Sequence, residues 1–169
     1  MITLLRPGLG QLFLAFTLLF AALAAQAQSP VQAGSDLPIH DAARLGSGSE
    51  VEQLLKANPA LRDVRNGMGS TPMHLAATNG DAGPLKVLLA AGAEVNVRDK
   101  EGITPLHLAT YADRATNALL LLRAGADANA VTDNGRSVTS MGRKTMANET
   151  VGVISLWLLK GCKPGMKNC

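Results

Sequence analysis

Aromatic residues are scarce in this chain of 169 residues, at 3% of positions, with one tyrosine and one tryptophan. A stacking platform for nucleic-acid bases needs aromatic side chains interleaved with basic ones, and none is spaced that way here, so no nucleic-acid partner is expected. Cysteine is nearly absent: Cys162 and Cys169 stand alone, with no histidine or third cysteine nearby. That argues against a thiolate metal site, which needs further ligands. The chain has no nucleophile elbow, no phosphate-cradling glycine loop and no His-Glu-x-x-His, so three common routes to catalysis are missing. The carboxylates are scattered over loop-like positions, with no pair arranged for acid–base work. No catalytic residue, cofactor or metal is expected.

Charge is missing from the N-terminus, where Arg6 is the only charged residue before Asp36. An apolar stretch, Leu12–Ala25, follows it, and then Ala25-Gln26-Ala27. This is the layout of a secretory signal with an Ala-x-Ala cleavage site, which places the mature protein in a periplasm or outside a bacterial cell. The alternative is an uncleaved N-terminal anchor, although the apolar core is short against the ~20 residues of a spanning helix. The remaining apolar run, Val151–Leu159, is far too short to span.

What the chain does have is a period. Thr71-Pro72-Met73-His74-Leu75-Ala76 returns as Thr104-Pro105-Leu106-His107-Leu108-Ala109, 33 residues later. Gly69 and Gly102, Gly92 and Gly125, and Asn96 and Asn129 keep the same interval. Upstream, Leu37-Pro38-Ile39-His40-Asp41-Ala42 fits the frame at a spacing of 34. Downstream, Gly135 opens a fourth unit in which Ser137-Val138-Thr139-Ser140 replaces the motif and Gly161 falls 36 after Gly125. A fixed period of this size means stacked units that share one core. Thr71 and Thr104 suit helix caps, and Pro72 and Pro105 suit the first helical position. Gly92 and Gly125 suit left-handed helix stops, with Asn58 in that place in the first unit. Asn66-Gly67, Glu101-Gly102 and Asn134-Gly135 read as turn tips. Asp81 is the expected cap of a helix that carries Pro84 in its first turn.

With its Thr-Pro-Leu-His-x-Ala signature and 33-residue period, the chain resembles the ankyrin-repeat family. The resemblance spans about 36–161 and implies an all-α solenoid of about four helix-turn-helix repeats with β-turn fingers. The units run 36–68, 69–101, 102–134 and an atypical capping unit 135–161. A signal segment at 1–27 and a linker at 28–35 precede them, and a tail at 162–169 follows. The family's histidine is structural, tying a helix to the neighbouring turn, which is the role implied for His40, His74 and His107. These three lie one repeat apart, roughly 10 Å, too far to share a metal ion. Trp157 aligns with Leu121 and is expected in the core.

The resemblance also implies binding of another protein through turn tips and the exposed side of each first helix. In this frame those positions are Met68, Ser70, Thr78 and Asn79, then Lys100, Glu101, Ile103, Tyr111 and Ala112, then Asp133, Asn134 and Arg136, with Arg98 and Val131 leading into the tips. Tyr111 is the expected anchor, since aromatics are enriched at binding hot spots. Ile103 and Met68 are apolar where solvent is expected.

Charge is uneven along the array. From Gln28 to Gly135 the chain carries 9 basic and 12 acidic residues, and from Arg136 to Cys169 it carries 6 basic and one acidic. The basic end is a solvated cap or a contact for an anionic surface. An even cysteine count in an exported chain suggests a Cys162–Cys169 disulfide closing the tail, the alternative being two free thiols. The expected protein is a monomeric, non-enzymatic periplasmic module that supports an envelope enzyme or inhibits a toxin. The alternative is a module tethered to the envelope by its N-terminal segment or basic end.

Overall fold

Eight α-helices and one short 3-10 helix make up the described part of the chain, residues 35–166 of a computed structural model. The expected signal segment at 1–27, nearly all of the linker and Cys169 lie outside the described residues. The helices come in pairs: α1 (Pro38–Leu45) with α2 (Gly48–Ala57), α3 (Pro72–Thr78) with α4 (Gly83–Ala90), α5 (Pro105–Tyr111) with α6 (Ala115–Arg123), and α7 (Val138–Lys144) with α8 (Asn148–Leu159). The 3-10 helix, Pro59–Asp63, follows α2. First helices stack in series, α1 on α3 on α5 on α7, while α2 packs on α4 and α6 on α8. The core they enclose is aliphatic, built on Ile39, Val51, Leu85, Leu88, Leu106, Leu121, Leu122 and Ile154. Trp157 joins it at 6% exposure, as its alignment with Leu121 predicts.

The repeated motif builds the first helices in a particular way. Pro72 and Pro105 occupy the first helical position, where no backbone donor is required. Two positions on, the histidine ring turns back. His74 Nδ1 accepts the Thr71 N–H at 3.1 Å, His40 Nδ1 accepts the Leu37 N–H at 2.9 Å, and His107 Nδ1 accepts the Thr104 N–H at 3.3 Å. The ring thus fills the place that a glutamate takes in a capping box. An Nδ1 that accepts requires the neutral ring with its proton on Nε2. That Nε2 donates to a carbonyl further along the chain, Val64 for His40 at 3.2 Å, Ile103 for His74 at 3.0 Å and Arg136 for His107 at 3.2 Å. All three rings are fully buried. One side chain closes its own helix and rivets it to the next turn.

Unit four ends this relay. Ser140 holds the histidine position, and its N–H and hydroxyl both turn back to Ser137, at 3.2 and 2.8 Å. The extra three residues of this unit lengthen the second helix, which has 12 residues in α8 against 9 in α6. Gly161 closes it in the left-handed region at φ +63°.

Three local expectations are corrected. Asn58 is not a left-handed stop: its φ is −148°, because Pro59 pushes the preceding residue to extended backbone. The left-handed glycine of the first finger is Gly69 at φ +79°, in register with Gly102 and Gly135, so Asn66-Gly67 is not the equivalent of the other two tips. The N-cap of α4 is Ala82, and Asp81 instead accepts the Gly83 N–H at 2.9 Å.

Candidate protein-binding face

Between consecutive pairs the chain makes three fingers of one design. Asn66, Asp99 and Thr132 each begin a turn, donating N–H to the carbonyls of Ser70, Ile103 and Arg136 at 2.9–3.0 Å. The side chains reinforce the turn: Asn66 Oδ1 accepts from Met68 and Ser70, Asp99 Oδ1 from Glu101 and Ile103, and Thr132 Oγ1 from Arg136. Each finger is then tied to the next. The Lys100 N–H donates to Met68 O and the Asp133 N–H to Glu101 O, both at 3.1 Å. Lys100 Nζ reaches Gly67 O at 2.6 Å, Arg65 bonds Arg98 O at 2.8 Å, and Arg98 pairs with Asp133 at 2.9 Å. The fingers therefore form one edge, with Met68 exposed at 65% and Val131 at 48%.

Most of the expected site residues lie on this face. Arg98, Lys100, Glu101, Asp133, Asn134 and Arg136 are exposed, and Thr78, Ile103 and Ala112 are half-buried. Tyr111 ends α5 at 59% exposure. Two positions do not belong to the surface. Ser70 is buried at 5%, its carbonyl taken by Asn66. Asn79 is buried at 8%, donating to the carbonyls of Ala43 and Gly46 and accepting from the Asp81 N–H. It is a tie between units one and two rather than a contact.

Ile103, Tyr111 and Arg136, spread over 34 residues of sequence, meet in one groove of about 580 Å³. Leu108 of α5 and Ser140, Met141, Lys144 and Thr145 in and after α7 complete its walls. The α7 wall went unpredicted because unit four has lost the motif that marks a first helix. The period alone carries the signal, since Lys144 lies 33 residues after Tyr111 and Met141 lies 33 after Leu108.

Electrostatics at the buried histidines follow from their surroundings. Burial pushes the His74 ring below the usual histidine range, opposed by its bond to Ile103 O and the nearby Asp99 carboxylate, with Arg65 adding to the lowering. His107 is lowered by burial in the same way, opposed first by its bond to Arg136 O. Among the described residues no group of histidine, cysteine, aspartate or glutamate side chains is placed to hold a metal ion.

Paired helices stacked in register, with a finger between consecutive pairs, define a helical repeat solenoid. The family model for ankyrin repeats, in three copies, matches residues 39–132, and the chain belongs to the ankyrin-repeat family. Repeats of this family are generally protein–protein interaction modules. No curated protein matches the chain.

Proposed function

We propose that the protein is a non-enzymatic interaction module of the bacterial periplasm that binds one partner protein across the fingers and the first helices of units three and four. The single observation that carries this reading is the convergence of Ile103, Tyr111 and Arg136 on one groove beside the finger edge. An aromatic anchor next to a half-buried aliphatic floor and an arginine is the composition of a binding hot spot. The Leu12–Ala25 run with its Ala-x-Ala site supports export, and two cysteines in an exported chain support a Cys162–Cys169 bond. The roles that fit are support of an envelope enzyme and inhibition of a toxin.

The test is crosslinking in intact cells of the tagged full-length chain, followed by identification of captured envelope proteins. A single periplasmic protein, lost from the Arg98→Ala/Tyr111→Ala variant, is the expected result. Tyr111 is exposed and Arg98 gives up only a surface ion pair with Asp133, so the unfolding free energy of that variant in urea should stay within ~1 kcal/mol of the parent, which separates lost binding from lost folding. Undiminished capture by the variant would place the contact elsewhere.

A second reading draws on the end of the array. Leu156 and Leu159 are exposed at 51% and 84%, with exposed Lys160 and Lys163 nearby. Apolar and cationic groups together suit an anionic lipid surface. Release of the protein from membranes by high salt would support this reading, and its recovery in the osmotic-shock fluid without salt would remove it.

A further inference from the structure

We propose that the groove between α5 and α7 receives an acidic segment of the partner, one large apolar side chain entering the groove and flanking carboxylates meeting Arg136 and Lys144. This deepens the protein-binding reading and rests on it.

The first argument is shape and lining. About 580 Å³ falls within the ~300–1,000 Å³ of ligand-binding pockets and exceeds what a single small ion needs. Its walls are Ile103 from the finger, Leu108 and Tyr111 from α5, and Met141 from α7. Methionine and tyrosine suit such a place, one because it adapts to the shape of what enters, the other because it gives rigid contact area at low entropic cost.

The second argument is charge. Two cations, Arg136 and Lys144, line the groove, and no carboxylate does. Across the first three units most of the basic side chains are committed, with Lys86 an exposed exception far from the groove in sequence. Arg44 pairs with Asp36 and Asp41, Lys56 with Glu52, Arg62 with Asp63 and Arg98 with Asp133. Arg65, Lys100 and Arg114 donate to backbone carbonyls. Among the described residues Arg136 and Lys144 have no ion pair and no side-chain hydrogen bond, and both are exposed. The carboxylate nearest in sequence to Arg136, Asp133, is already held by Arg98. Arg143 adds a further exposed cation on α7. Glu149, the one acidic residue after Arg136, lines a different cleft with Asn79, Asp113 and Arg114.

These two facts select the occupant. A neutral apolar segment would desolvate a guanidinium and an ammonium without giving them a partner, which costs free energy. A basic segment would add repulsion. Carboxylates on either side of the apolar residue convert both liabilities into charge-assisted bonds. Steering by the basic end would raise the association rate, and more so at low salt.

The experiment selects short random peptides displayed on phage against the purified chain and then measures the enriched peptides by fluorescence anisotropy. The expected pool places aspartate or glutamate beside phenylalanine, tryptophan or leucine. Affinity should fall about tenfold or more in Arg136→Glu/Lys144→Glu and in Tyr111→Ala, and it should fall with salt. Both cations are exposed, so an unchanged urea midpoint shows that the charge-reversed chain is folded. A neutral or basic pool, no enriched pool, or an acidic pool indifferent to charge reversal overturns the proposal. So does binding to phosphatidylglycerol vesicles that charge reversal abolishes while no peptide is selected, which would make a lipid surface the occupant. The two readings fail separately: a cellular partner lost from Arg98→Ala/Tyr111→Ala but retained by Arg136→Glu/Lys144→Glu removes only the acidic segment, whereas a partner retained by Arg98→Ala/Tyr111→Ala removes the proposed face itself.

Discussion

Asp113 of unit three accepts two hydrogen bonds from Thr150 of unit four, one from its N–H at 3.1 Å and one from its hydroxyl at 2.8 Å. Thr150 is the third residue of α8, whose own N-cap, Ala147, has no side chain able to cap it. The carboxylate of one repeat therefore caps the helix of the next, and it sits where the helix dipole favours negative charge. Asp113 holds a left-handed backbone, φ +51°, to reach this place.

Removing that carboxylate should loosen unit four. Asp113→Ala leaves the buried Thr150 hydroxyl and an orphan N–H without an acceptor, for an expected loss of about 1–3 kcal/mol in urea denaturation. Asp113→Asn keeps an acceptor of the same reach and tolerates positive φ, so it should lose less than half as much. Equal losses from the two substitutions would deny the cap.

The histidine rivets should make the fold acid-sensitive. In the folded chain His74 and His107 titrate below their unfolded value of 6.5, because burial disfavours the charged ring. Their contribution to stability is complete above ~6.5 and drains away as pH falls from there through the lowered native values. The hydrogen bonds agree in sign, since a protonated Nδ1 can no longer accept the Thr71 or Thr104 N–H. Urea midpoints measured from pH 7.5 to 5 should decline, and His74→Asn should reduce the slope. A flat profile in the parent chain would contradict the assignment.

Two glycines in neighbouring helices should respond with opposite signs. A Cβ on Gly142 of α7 would come within 2.5 Å of Thr110 Cγ2 and of Val151 Cγ2, both on stiff β-branched side chains, and Thr110 is further held by its bond to Leu106 O. Overpacking of ~1–3 kcal/mol should exceed the ~1 kcal/mol that alanine gains in a helix, so Gly142→Ala should destabilise. Nothing lies within 4 Å of a Cβ on Gly152 of α8, where Gly152→Ala should stabilise by up to ~1 kcal/mol. Thermal midpoints of the two variants decide the point.

The repeat register was legible because Thr-Pro-x-His and its trailing glycine state the period twice, and the period dictates pairing and stacking. The ties between repeats were not legible. Asn117 donates to the carbonyls of Ala76, Ala77 and Asn79, some 40 residues back, and nothing local in its sequence signals that reach. The candidate face was half legible. The frame put Tyr111, Arg136 and Ile103 on the side of the array where they line one groove, although Ile103, expected to face solvent, is half-buried. It misjudged Asn79 because position in a repeat does not reveal whether an amide will be used to satisfy the end of the preceding helix. It missed Met141 and Lys144 because Ser137–Ser140 no longer spell the motif, although the backbone there still forms α7.

The two walls of the groove, Tyr111 and Leu108 on one side and Met141 and Lys144 on the other, belong to different repeats whose first helices pack on each other. Anything lodged there acts as a splint across the last joint of the array. An occupant that bridges both walls binds only the packed array, so by mass action it would add to the stability of unit four. Protease resistance of the C-terminal end is thereby a gauge of occupancy, readable without knowing what the occupant is.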